Sequence, residues 1–166
     1  MKYKPIDIMR QVVLIIVILI TVLLLASQLF FMYSKVPSGS MEPTIHEGEY
    51  ILIKRTSNIQ RGDVAAFYSD EFKTYMLKRC IGVPGDVVDI REGNVYLNGV
   101  YLQEDYVVAR SGESQTFIVP EDSYFFLGDN RANSFDAREW STPFIAKEDV
   151  IGKMYMEIYP VLKIWK

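Results

Sequence analysis

Apolar and polar positions divide this chain into two unequal parts. Residues Val12 to Ala26 read VVLIIVILITVLLLA, with Thr21 the only polar side chain, and after Ser27 and Gln28 the apolar run resumes at Leu29 to Met32. About 20 apolar residues cross a ~30 Å hydrocarbon core as a helix, so the pattern predicts a membrane-spanning helix over 11–33. Two other readings fit less well. A cleavable export signal has an apolar region of about 7–15 residues and a small-x-small exit. This run is longer, and the bulky Leu29-Phe30-Phe31-Met32-Tyr33 follows it. A buried core helix needs a large soluble protein around it, and 166 residues do not supply one.

Beyond Lys35 the pattern changes to short apolar runs: Tyr50–Ile53, Val64–Tyr68, Tyr75–Leu77, Val87–Ile90, Asn94–Leu97, Thr116–Val119, Tyr124–Leu127 and Val150–Met156. They are rich in β-branched and aromatic residues and are bounded by turn signals such as Pro84-Gly85-Asp86 and Glu92-Gly93-Asn94. Asn98-Gly99 between Val95–Leu97 and Val100–Leu102 is a two-residue hairpin signal. Only Ile145–Val150 and the stretch near Ser40–Ile45 suggest short helical turns. The predicted fold is mainly β: one transmembrane helix followed by an antiparallel barrel-like or sandwich-like domain. That domain is large enough to bury a core of its own. The expected organisation is an N-terminal tail over 1–10, an anchor over 11–33 and an outer domain over 34–166.

Charge adds the orientation. Lys2, Lys4 and Arg10 precede the span against only Asp7, and Lys35 alone lies close after it. Positive flanks stay cytoplasmic, so the N-terminus is expected in the cytoplasm and everything after about Lys35 outside the cell membrane, in a single-pass arrangement with the bilayer as a partner. Removing those four charges from the 18 basic and 21 acidic residues leaves 15 and 20, an outer domain at −5. Such a domain is neither a polybasic lipid-surface module nor an electrostatic binder of nucleic acid. A single Cys excludes an intrachain disulfide, and one Cys with one His leaves no usual Cys/His zinc framework.

The single His also makes a Ser-His-Asp triad hard to build. His46 sits in the turn-like His46-Glu47-Gly48 and reads best as a solvated side chain. A serine can instead be activated by a lysine, provided the lysine is desolvated enough to be neutral. Three segments bear on this. Val36–Thr44 (VPSGSMEPT) begins just beyond the membrane and holds Ser38 and Ser40 around Gly39. Alone, it reads equally well as a Ser/Pro/Gly linker. Tyr75–Asp86 (YMLKRCIGVPGD) puts Lys78 on one strand face with Met76 and Cys80. A solvated edge-strand lysine is the simpler reading of that segment alone. Phe126–Arg138 (FLGDNRANSFDAR) is a polar turn after a strand. Its Ser134, Asp136 and Arg138 either hold the turn together or bring a hydroxyl and an ion pair beside Lys78.

Taken in order, four blocks behind the anchor resemble the bacterial type I signal peptidases: Ser38–Thr44, Arg61–Val64, Lys78–Asp86 and Gly128–Arg138. The single anchor and compact length are similar to the Gram-positive form. The resemblance implies a membrane-bound serine endopeptidase that cleaves signal peptides from exported preproteins, without metal or cofactor. It assigns Ser40 as nucleophile and Lys78 as general base. The Ser40 N–H and the Ser38 hydroxyl would form the oxyanion hole. Ser134 would orient the lysine, Asp136 and Arg138 would form a structural ion pair, and Asp129 with Arg131 a supporting turn. Arg79 would be structural. Met41, Ile45, Met76 and Leu77 are candidates for lining the substrate pockets. Ala137 stands where the family often has Ser, and Cys80 stands at a small or aliphatic position. Two other classes compete with this reading. One is a Ser–Lys peptidase for a narrow substrate such as pilin-like proteins, and the other is a non-catalytic anchored binding module.

Overall fold

The computed structural model describes residues 5–160 and 162–165. Lys2 and Lys4, invoked above for orientation, lie outside the described residues. Helix α1 spans Pro5–Phe30, about 39 Å at 1.5 Å per residue, enough to cross a bilayer with some tilt. Within it, Ile8–Phe30 is long and apolar enough to span, and none of that stretch is buried by the rest of the protein. Its two hydroxyls are satisfied internally. Thr21 Oγ1 donates to the Val17 carbonyl at 2.8 Å and Ser27 Oγ to the Leu24 carbonyl at 2.7 Å, which removes the cost of a bare hydroxyl in hydrocarbon.

The helix starts earlier and stops earlier than the 11–33 expected from the apolar run. Pro5 suits a first helical turn because its missing N–H would have no partner there. At the other end, Phe31-Met32-Tyr33 leave the helix to open strand β1 (Phe31–Lys35). They gain a full ladder against β2 (Tyr50–Arg55), with Phe31 opposite Lys54 and Lys35 opposite Tyr50. Their side chains find partners as well. Phe31 meets Tyr155, Tyr33 stacks on Tyr50, and Met32 packs on a buried cluster. Arg55, at the far end of β2, donates to the Gln28 carbonyl in the last turn of α1 and ties the sheet to the helix end.

The remaining strands are β3 (Val64–Ser69), β4 (Thr74–Gly82), β5 (Val87–Arg91), β6 (Asn94–Leu97), β7 (Val100–Tyr101), β8 (Gln115–Ile118), β9 (Ser123–Leu127), β10 (Phe144–Ala146), β11 (Val150–Tyr159) and β12 (Lys163–Ile164). Every pair is antiparallel. The larger sheet runs β1-β2-β11-β3-β4-β9-β10, with β12 on β11, and the smaller runs β7-β6-β5-β8. The two helical turns foreseen are 3₁₀ turns, Gly39–Met41 and Lys147–Asp149. Phe144–Ala146, just before the second turn, is a strand, because it pairs with the buried β9. The Asn98-Gly99 hairpin forms with φ of 52° and 80°, the paired left-handed values a tight two-residue turn needs.

The architecture is sandwich-like rather than a closed barrel: among the described residues the larger sheet's ends, β1 and β10, do not pair with each other. One core lies between the sheets, with Phe67, Phe125 and Phe126 against Val88, Ile90 and Val95. A second gathers Val36, Met41, Ile45, Ile51, Ile53, Val64, Ala66 and Met154. The site lies where these two cores meet.

Candidate active site

The loop after β1 is built to hold a serine in place. Val36 is buried in the second core, and its N–H and carbonyl bond Glu49 and Gly48, closing residues 36–49 at the base. Met41 and Ile45 are the loop's apolar anchors, 1% and 0% exposed. Between these fixed points the chain makes the Gly39–Met41 turn, closed by the Glu42 N–H on the Gly39 carbonyl at 3.1 Å. Ser40 is left half-buried, and the exposed Ser38, in extended backbone, places its hydroxyl 3.4 Å from Ser40 Oγ.

Lys78 lies in the middle of β4, opposite Ala65 of β3. Alternation along the strand puts it between Met76 and Cys80, both packed on the first core. It is 5% exposed. Burial is the main cause that lowers its pKa from 10.5 to about 8; Asp136 and Asp129 pull it back up, while Arg138 pushes it down. A charged amine in an apolar setting is disfavoured against its neutral form, so this lysine is not the solvated edge residue that its segment alone allowed.

The loop after β9 brings the third group. The buried Asp136 carboxylate accepts the Gly128 N–H at 3.0 Å and two bonds from the Arg138 guanidinium, at 2.7 and 2.9 Å. Gly128 is the junction of the site. A Cβ placed there would stand 2.1 Å from Ser134 Oγ and 2.6 Å from the Ser40 carbonyl oxygen. Glycine is needed here for space, since the serine loop and Ser134 both press on that α-carbon. Ser134 Oγ is itself buried and has no hydrogen-bond partner among the described residues. A buried hydroxyl without a partner carries a desolvation penalty, so this oxygen is held available inside the site.

Beneath lies a frame of buried ion pairs. Asp129 takes a two-pronged contact from Arg79, at 2.8 and 2.6 Å, and Arg79 lies over the Tyr106 ring. Arg131 pairs with Glu104, both nearly fully buried, and closes the Asp129 turn through its N–H on the Asp129 carbonyl. Arg79 thus pairs with Asp129 in the frame, and in the Asp129–Arg131 turn the two side chains pair with Arg79 and Glu104 rather than with each other. Glu104 and Asn130 escaped the sequence reading. Glu104 sits in an ordinary polar stretch, Gln103-Glu104-Asp105, with no local signal. Asn130 lies inside the recognised block, but nothing in its type announces a role.

Ser38, Ser40, Met41, Met76, Leu77 and Lys78 all border one cleft of about 470 Å³, together with apolar side chains from β1 to β3. Ile45, named above for a pocket, does not border it and lies in the core behind the serine loop. His46 is exposed, 3.8 Å from the Glu42 carboxylate. Cys80 is buried, and that burial raises its thiol pKa. Among the described residues no three His, Cys, Asp or Glu side chains converge in a group able to hold a metal ion. What the cleft offers is a hydroxyl, an amine poised near neutrality and apolar walls.

Comparison with known proteins points the same way. The family described as "Signal peptidase, peptidase S26" matches residues 9–159. A probable signal peptidase I-2 of Synechocystis sp. is 36% identical over 140 residues, covering 78% of this chain and 63% of the relative. Signal peptidase I P of Bacillus subtilis subsp. natto is 32% identical over 144 residues, covering 78% and 77%. The crystal structure of a signal peptidase I from Enterococcus faecalis aligns with a TM-score of 0.52 at 34% identity, over 58% of this chain and 96% of that one.

Proposed function

This chain belongs to the signal peptidase family, peptidase S26, and from that premise we propose that it is a membrane-anchored serine endopeptidase that removes signal peptides from exported preproteins. The observation that carries the proposal is the shared cleft. A half-buried Ser40 and a nearly dry Lys78, its pKa lowered to about 8, open onto the same apolar groove.

The chemistry runs as follows. Neutral Lys78 Nζ takes the proton of Ser40 Oγ while Oγ bonds to the carbonyl carbon of the last signal-peptide residue. The resulting oxyanion is stabilised by the Ser40 N–H and the Ser38 hydroxyl. The Lys78 ammonium, oriented by Ser134 Oγ, gives its proton to the leaving nitrogen as the C–N bond breaks, and an acyl ester remains on Ser40. Water, deprotonated by the same amine, attacks the ester; the ammonium then returns the proton to Ser40 Oγ as the acyl C–O bond breaks and the signal peptide leaves. Asp136 with Arg138 holds the loop that carries Ser134, and Asp129 with Arg79 anchors its start.

The substrate enters as an added strand. Two strand edges support this. Among the described residues β1 pairs only with β2, and β4 pairs with β9 only from Arg79 onward, which leaves Thr74–Lys78 unpaired on that side. Met41, Met76 and Leu77 then face the small side chains before the cut. α1 crosses the cell membrane once, with residues 1–10 cytoplasmic and residues 34–166 outside. With nine residues, Phe31–Gly39, between the end of α1 and Ser40, the site stays near the bilayer. There the effective concentration of a membrane-tethered precursor is high.

The test is cleavage of a signal-peptide-bearing precursor by the purified full chain in detergent or vesicles, with the new N-terminus sequenced. Cleavage after a small residue, lost in Ser40→Ala and in Lys78→Ala while both keep the native circular dichroism spectrum, is expected. Undiminished cleavage in either folded variant refutes the Ser–Lys assignment.

A further inference from the structure

We infer that Asn130 is a positioning residue that sets the direction of the Ser40 N–H; the inference rests on the Ser40–Lys78 reading above. Asn130 makes two contacts with the serine turn. Its main-chain N–H donates to the Ser40 carbonyl at 3.0 Å, and its side-chain Nδ2 donates to the Gly39 carbonyl at 3.1 Å. The two carbonyls flanking the Ser40 N–Cα–C unit are thus both held by one residue. The amide is itself held. Asn133 donates from its own Nδ2 to Asn130 Oδ1 at 3.3 Å and from its N–H to the Asn130 carbonyl at 2.9 Å. Nδ2, not Oδ1, is therefore the end presented to Gly39.

The consequence follows from peptide geometry. In a planar trans peptide the C=O of one residue and the N–H of the next point in opposite directions. Fixing the Gly39 carbonyl against Asn130 and the Glu42 N–H aims the Ser40 N–H to the other side of the same plane. That N–H is the main-chain donor of the oxyanion hole, and donors of this kind count only when aimed at where charge develops. The Gly39 peptide needs such a restraint. Glycine is the most permissive residue for backbone rotation, and Ser38, on the other side of it, is exposed. Asn130 works across a separation of 91 residues in sequence. Its own frame is rigid, because it follows Asp129, which is locked by Arg79.

Asn130→Asp and Asn130→Ala in the full chain, in detergent micelles, test this. Asp keeps the shape and the main-chain bond but turns the donor into an acceptor facing a carbonyl. We expect kcat on a signal-peptide substrate to fall by about 10²-fold in Asn130→Asp and somewhat less in Asn130→Ala, the scale of one lost oxyanion donor or a slightly misplaced one. KM and the affinity for an uncleavable peptide with proline after the cut should stay within roughly threefold, since ground-state binding does not use the oxyanion donor. Thermal midpoints should stay close to the parent. Unchanged kcat in Asn130→Asp overturns the inference. So does a loss of kcat matched in both variants by a large fall in melting temperature, which makes Asn130 a general turn stabiliser. Ser40→Ala is run alongside. If it still cleaves, the underlying reading fails; if it is inactive while Asn130→Asp is normal, only the inference fails.

Discussion

In the proposed mechanism Lys78 must lose a proton before it can take one from Ser40, and its burial makes the pH at which this happens predictable. An ordinary lysine at 10.5 is neutral in roughly one molecule in 3,000 at pH 7, whereas at a pKa of about 8 the share is about one in ten. Desolvation therefore raises the active fraction by roughly 300-fold at neutral pH. The profile of kcat/KM, measured from pH 5 to 10 on a peptide with small residues at the cut, should rise about tenfold per unit below pH 7. It should bend near 8 and level off above 9. The same shift has a stability consequence of definite sign. Between about pH 8 and 10.5 the unfolded chain binds the lysine proton and the folded chain does not, so stability rises with pH across that window. Below about 8 the full penalty is present, on the order of 3 kcal/mol. Lys78→Met, which fills the space without a charge, should be inactive yet melt higher than the parent at pH 7, by roughly 3–10 °C. The advantage should shrink as pH rises from about 8 to 10.5. A rate maximum at pH 5 with loss above neutrality, or a Lys78→Met protein that melts lower at pH 7, would refute the argument and remove Lys78 from its role as a buried base.

Other outcomes follow from the same geometry. Gly128→Ala puts a methyl 2.1 Å from Ser134 Oγ and 2.6 Å from the Ser40 carbonyl; activity should fall by at least about 10²-fold and stability by about 1–3 kcal/mol, read by turnover and a thermal melt. Ser134→Ala deletes a buried hydroxyl that has no partner among the described residues, so the melting temperature should hold or rise slightly while kcat/KM drops by one to two orders of magnitude, roughly. An unchanged kcat/KM in that variant would show that the hydroxyl does not serve Lys78. His46→Ala and Cys80→Ala should keep near-normal turnover, because His46 is exposed and Cys80 is buried in the first core. Since burial raises the thiol pKa, thiol alkylation of the folded protein should be slow and without effect on cleavage, measured by mass spectrometry beside an activity assay.

What was legible in the sequence was whatever depends on neighbours in the chain. A long apolar run determined the helix, because hydrocarbon demands an uninterrupted set of internal hydrogen bonds over its thickness. Period-two alternation and turn residues marked most strands and the Asn98-Gly99 hairpin, because the pleat and positive φ are local properties. The four motif blocks singled out Ser40, Lys78, Ser134 and the Asp136–Arg138 pair. Tertiary structure alone decided the rest. Phe31–Tyr33, as apolar as the anchor, became a strand because β2 offered them a ladder and aromatic partners. Arg79 chose Asp129, and Arg131 chose a Glu104 that no motif marked, since buried charges take whichever opposite charge the fold brings within reach. Ile45, read as a pocket residue, went to the core because the serine loop needs an anchor behind it. Lys78 in isolation looked like a solvated edge residue. Only the packing of β4 between β3 and β9, with the loop after β9 beside it, removed its water and brought it to the cleft with Ser40. Desolvation is a property of everything around a side chain, and in this protein those surroundings come from segments up to about a hundred residues apart.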